Sequence, residues 1–213
     1  MDVLGRLCIH LKGSRWQHAI LESRLLLEPC VPARVHGVCR EGEHEGMAKL
    51  TIYSASDPVL HRKARPVGKV DGALRTLMDT MVETMREADG MGLAAPQVGI
   101  LQRFFVAEYE DEIYALINPE ITWRSEETET LEEGCLSLPG YRGKVERPLN
   151  VIVKAKNKKS KDVTIHAEGL LARLFQHEID HLDGVMFTDR MVPHERLRAV
   201  TREEEDELAE LRA

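Results

Sequence analysis

Leu74, Leu77, Met78, Met81, Val82 and Met85 follow one another at i, i+3, i+4, i+7, i+8 and i+11. That interval puts apolar side chains on one face of a helix. Asp71, just ahead of them, is placed to cap its open N-terminus. The simplest use of these methionines is a core-facing stripe. Runs rich in β-branched and aromatic residues predict strands over residues 49–53, 103–108, 113–117, 149–155 and 162–166. Polar or proline-bearing breaks such as Asp57-Pro58, Asn118-Pro119 and Lys156-Asn157-Lys158-Lys159 punctuate them. A second helix is predicted over residues 168–182. Strands lying between two helices, without regular alternation, point to an α+β fold.

The two ends of the chain read differently. Residues 1–46 show no sustained period, and their charges cancel, six basic against six acidic. They are expected to be a loosely ordered extension, or no part of the native protein. Residues 192–213 are expected to be an acidic helical tail. Over the whole chain, 29 Lys and Arg face 36 Asp and Glu, a net charge of −7, so a broad basic surface for nucleic acid is not expected. No apolar run approaches the roughly 18 residues that cross a bilayer. The N-terminus lacks the basic, apolar and small-residue segments of a secretory signal, and Asp2, Glu22 and Glu28 run against the acid-poor composition of a transit peptide. A cytoplasmic location is therefore expected, with no membrane partner. Cys30, His36, Cys39 and His44 fit no standard zinc-finger spacing.

The chemistry concentrates in the second helix, in Gln176-His177-Glu178-Ile179-Asp180-His181. Histidines four apart lie one turn apart on one face, so both rings can reach one ion. Glu178, offset from them, lies close enough to act on a water at that ion. This much describes metal hydrolases in general, proteases of the H-E-x-x-H type included. An open catalytic site needs a third ligand, and Cys135 in Glu133-Gly134-Cys135-Leu136-Ser137 is the candidate, with Gly134 allowing close backbone approach. Gly90-Met91-Gly92-Leu93-Ala94-Ala95-Pro96-Gln97 resembles a nucleotide loop only superficially, since it follows a helix and Ala95 stands where the third glycine would be. It reads better as a tight loop beside a substrate backbone, with the Gln97 amide as a donor.

Taken together and in this order, G-M-G-L-A-A-P-Q, E-G-C-L-S and Q-H-E-I-D-H resemble the three signature motifs of peptide deformylase, and the resemblance covers about residues 47–191. It implies an α+β fold of mostly antiparallel strands around a central metal-binding helix, with residues 47–191 as the catalytic domain. It implies a hydrolase that removes the formyl group from the N-terminal formylmethionine of nascent polypeptides and releases formate. Cys135, His177 and His181 become the ligands of one divalent ion, Fe2+ physiologically, with Zn2+, Ni2+ or Co2+ as alternatives. Activated water attacks the formyl carbon, Glu178 serves as general base and acid, and Gln97 and the Leu136 N–H meet the oxyanion. Met91 and Gly92 would offer backbone groups to the peptide, while Leu131, Glu133, Leu170 and Leu174 border the methionine pocket. Asp180 resembles an outer acid paired with Arg147. Arg173 stands where some relatives carry an aliphatic residue; it either flanks the pocket mouth or is solvated. A cysteine ligand disfavours the protease alternative, whose members mostly use His or Glu. Some relatives dock on the ribosome through a basic C-terminal helix. Here residues 201–213 carry two arginines against six acids, so docking of that kind is not expected.

Overall fold

The computed structural model describes residues 50–201. The extension expected over residues 1–46 and the end of the tail, residues 202–213, lie outside the described residues.

The first predicted helix is α1, Gly72–Glu87, and the Asp71 carboxylate accepts from Leu74 N at 3.0 Å as its cap. Leu74, Met78, Met81, Val82 and Met85 are buried, and Leu77 packs beside them. The strands that follow are β1 (Gly92–Ala94), β2 (Phe104–Tyr109), β3 (Glu112–Arg124), β4 (Thr128–Cys135), β5 (Leu138–Pro148), β6 (Asn150–Lys156) and β7 (Asp162–Glu168). Then come helix α2, Gly169–Asp183, and a last strand β8, Arg198–Ala199. Antiparallel pairing builds a five-stranded sheet in the order β1-β2-β3-β6-β7 and a three-stranded sheet in the order β4-β5-β8.

Alternation along β2 explains how two cores share one sheet. Phe104 and Val106 join the core under α1, whereas Phe105 and Ala107 join a second core with Phe175, Ile179 and Leu182 of α2. Successive strand residues point to opposite faces, so the helices pack on opposite sides of the five-stranded sheet. The α+β class is therefore observed. Among the described residues no helix is long and apolar enough to cross a membrane.

Three local expectations need correction. Residues 50–53 form no strand: Leu50 N binds the Thr84 hydroxyl at 3.2 Å and Tyr53 N the Gln97 carbonyl at 2.8 Å, anchors too scattered to make a ladder. Asn118-Pro119 does not separate two strands but sits inside β3 as a bulge, with Asn118 at φ 52° and its amide holding both backbone groups of Val67. The tail does not begin as a helix. Residues 192–201 run mostly without regular structure, and Arg198–Ala199 pairs with Arg142 and Tyr141 of β5. A free strand edge binds those backbone groups, which a helix would have to bond internally.

Helix α2 stops at Gly184, whose φ of 76° is left-handed and whose N–H returns to the Asp180 and His181 carbonyls. A Cβ there would sit 2.9 Å from backbone carbons of both His61 and Arg62. Gly184→Ala should therefore destabilise the protein by about 2–4 kcal/mol, from left-handed strain plus overpacking against backbone. Denaturant unfolding measures this, and a change below about 0.5 kcal/mol would contradict the role given to Gly184.

Candidate metal centre

Cys135, His177 and His181 come from two elements. The histidines stand one turn apart on α2, with ring centroids 4.9 Å apart and edge-to-face. Cys135 ends β4 immediately after a break in register: Glu133 pairs with Gly143, yet Cys135 pairs with Leu138. One residue of β4 thus faces four of β5, residues 139–142. Gly134, expected to permit close approach, has only ordinary space around it, 3.5 Å from the Tyr141 carbonyl for an added Cβ. One ligand atom from each of the three side chains lies within 4.8 Å of the others, and Cys135 Sγ is 3.2 Å from His181 Nε2. A sulfur and two imidazole nitrogens converging at this distance form a donor set suited to a borderline-soft divalent ion.

Gln97 approaches from a 3₁₀ turn, Ala95–Val98, directly after β1. Its carbonyl accepts from Ala94 N at 2.7 Å, which turns its Nε2 toward Cys135 Sγ at 3.5 Å and Ser137 Oγ at 3.2 Å. Ser137 is buried and its carbonyl also accepts from Ala55 N; the sequence reading gave it no role.

Glu133 does more than border a pocket. It is buried, and its Oε1 accepts from Arg147 Nε and Arg173 Nη1, both at 2.8 Å. Its Oε2 accepts from Arg147 Nη2 at 2.9 Å and meets His177 Nδ1 at 2.9 Å. That contact occupies Nδ1 and leaves Nε2 as the ligand atom of His177. The expected Asp180–Arg147 pair is present at 2.6 Å, and Arg190 also donates to both Asp180 oxygens. Of the two places expected for Arg173, solvent is excluded: it lines the cavity wall with its guanidinium buried against Glu133 and two backbone carbonyls. Spacing carried the missed signal, since Arg173, His177 and His181 share one helical face.

Charges reinforce the geometry. Burial favours a neutral Cys135, but the charges of His181 and His177 hold its thiol well below the ordinary range. Burial likewise works against a charged His177, yet hydrogen bonds to Cys135 and Glu133 keep it well above its usual value. Glu133, despite burial, is held well below the usual carboxylate range by hydrogen bonds from Arg147 and His177. A thiolate thus faces an imidazolium, and a bound cation takes over the imidazolium's positive charge when it displaces that proton. Glu178 behaves oppositely. Burial pushes its pKa up to about 7 against the opposing charges of His177 and His181, and its Oε2 has no hydrogen-bond partner.

These groups open into a cavity of about 790 Å³ whose wall includes Met91, Gly92, Leu136, Leu170, Leu174 and His177. Residues 139–142 and Val200 form its rim, so the chain's last described residues contribute to the wall. Leu131, expected at the pocket border, does not line it and is 41% exposed, although it shares a face of β4 with the buried Glu133 two residues on. β1 is an edge strand of its sheet. The Met91 carbonyl is taken by Glu108 N at 2.8 Å, so alternation turns the backbone groups of Gly92, rather than those of Met91, to the open edge. A Cβ on Gly92 would overlap Glu178 Oε1 and lie 2.9 Å from Leu174 Cδ1.

The Polypeptide deformylase family model matches residues 49–197. A peptide deformylase of Natranaerobius thermophilus is 55% identical over 145 residues, which are 68% of this chain and 93% of that protein. The crystal structure of the Thermotoga maritima peptide deformylase superposes with a TM-score of 0.68 at 47% identity, covering 68% of this chain and 99% of that one. The class I type b enzyme of Acinetobacter baumannii with Met-Ala-Ser bound superposes at 0.66 and 36% identity, covering 68% and 99%.

Proposed function

Because the chain belongs to the polypeptide deformylase family, we propose that it hydrolyses the formyl group from the N-terminal formylmethionine of nascent polypeptides, releasing formate. The observation that carries this reading is Gln97 Nε2 turned toward Cys135 beside the buried Glu178, whose pKa burial pushes up to about 7. Together they place an amide donor and a proton carrier around one ligand cluster.

Cys135, His177 and His181 would hold one divalent ion; Fe2+ is the physiological candidate, and Zn2+, Ni2+ and Co2+ suit the same donors. When bound, that ion supplies Lewis acidity, which acidifies a water and polarises the formyl oxygen. Glu178, with a pKa near 7, takes a proton from the attacking water and returns it to the departing amine, so no net proton is consumed at the carboxylate. The C–N bond breaks, formate leaves, and a free methionine amine remains. Gln97 cannot turn its Nε2 away without breaking the bond from Ala94 N. It is therefore preorganised to stabilise the developing oxyanion with the Leu136 N–H. Gly92 offers its backbone groups to the peptide as an added strand would, and Leu170, Leu174 and the His177 ring border the side-chain pocket. In this reading Glu133, Arg147 and Asp180 orient the ligands rather than touch substrate.

The substrate arises in translation, so we place the protein in the cytoplasm; any ribosome contact would avoid residues 201–213, where six acids face two arginines. Formate release from formyl-Met-Ala, compared with hydrolysis of unformylated peptides, tests the activity. Rapid release from the formylated peptide alone is the expected result. Cleavage of internal peptide bonds without formate release would replace this reading with a metallopeptidase.

A further inference from the structure

Arg173 is, with Arg147, one of two buried arginines among the described residues, and the reaction itself does not use it. Its Nη1 donates to Glu133 Oε1 at 2.8 Å and to the Val145 carbonyl at 2.9 Å, and its Nη2 donates to the Glu129 carbonyl at 2.6 Å. Glu129 lies on β4 and Val145 on β5, so one guanidinium ties α2 to both strands. It sits one turn before His177 on the helix that supplies two ligands, and it grips the strand that supplies the third. Glu133, the shared acceptor, passes this constraint to His177 through Nδ1.

We propose that Arg173 is a positioning residue for the metal ligands, acting through Glu133 to fix the His177 ring and the spacing between α2 and Cys135. Arg147 holds the same carboxylate in a two-point fork, but Asp180 also draws on Arg147. Arg173 supplies the second donor to Glu133 Oε1 and is itself fixed by backbone, which cannot swing away. An aliphatic side chain here would remove the tie from α2 to the Val145 and Glu129 carbonyls and take one of the two donors from Glu133 Oε1. Outer groups of this kind typically contribute about 10–100-fold in metal affinity. The proposal rests on Cys135, His177 and His181 being the metal site.

The full-length protein, loaded with Co2+, tests both levels separately. The parent should take up one equivalent and show thiolate-to-cobalt absorption; failure of that uptake overturns the metal site itself. Given uptake, Arg173→Ala should release cobalt to a chelator at least about 10-fold faster, with shifted ligand-field bands. In a Glu133→Gln background the same substitution should add little, since the route from Arg173 to His177 is already weakened. Release at the parental rate with unchanged bands, even if the protein melts earlier, would make Arg173 merely structural and overturn the proposal. Fully multiplicative effects of the two substitutions would overturn action through Glu133. If Arg173→Ala does not fold, Arg173→Lys decides: its single ammonium cannot reach all three acceptors, so several-fold faster release supports the proposal and parental release refutes it.

Discussion

Glu178→Gln should lower formate release by about 10²–10⁴-fold while the protein keeps its metal, because the amide cannot carry a proton between water and amine. The same substitution should make the metal-free protein more stable. Burial lifts the Glu178 pKa from 4.5 to about 7, so between those values the folded protein holds a proton that the unfolded chain has lost. Stability therefore falls as pH rises through that window and levels off above about 7. The total is on the order of 3 kcal/mol, taking about 1.4 kcal/mol for each pH unit. Glutamine has no such slope. Denaturant unfolding of both metal-free proteins at pH 5 and pH 8 should show the variant's advantage at pH 8 and little difference at pH 5. Equal pH slopes would mean that burial does not raise the Glu178 pKa. Undiminished turnover would remove it from the reaction.

Gly92→Ala should cost about 100-fold or more in kcat/KM with the fold and metal content intact. The added methyl group would overlap Glu178 Oε1 and come within 2.7 Å of its Cδ. Of the atoms in the way, the carboxylate is the freest to yield, so the proton carrier moves rather than the sheet. A displacement of about 1 Å at a catalytic group typically costs that factor. The methyl group also stands on the open strand edge, where the proposed function has Gly92 offer its backbone groups to a peptide. Steady-state kinetics with formyl-Met-Ala and metal analysis of the variant check this, and near-parental turnover would show that the methyl group is accommodated elsewhere.

The site was more legible than the sheets. His177 and His181 follow from helical spacing alone, and the core stripe of α1 is as regular in the structure as in the sequence. β4 and β5 escaped because their buried positions are partly filled by charge: Glu133 and Arg147 neutralise each other where alternating aliphatic residues would have marked a strand. β1 is only three residues long and leaves no period to read. Asn118-Pro119 looked like a break because the bulge uses turn residues inside a continuous strand. Arg173 is hidden for a related reason. Nothing local marks a guanidinium as buried when its partners lie 28, 40 and 44 residues away.

The change of register before Cys135 divides the cavity into two kinds of wall. On the ligand side, Glu133 is clamped by arginines on both oxygens, and small changes there move the donor atoms. On the rim, residues 139–142 face a single residue of β4 and are joined to the rest by the backbone pairs with Arg198 and Ala199. Side chains in that rim can change size or charge while the sulfur and imidazoles stay in place. Under the proposed function, this division would separate the selection of downstream peptide residues from the chemistry of the formyl group. A library varied over residues 139–142 and 198–200 is the natural starting point for retuning which peptides, or which inhibitors, the enzyme admits.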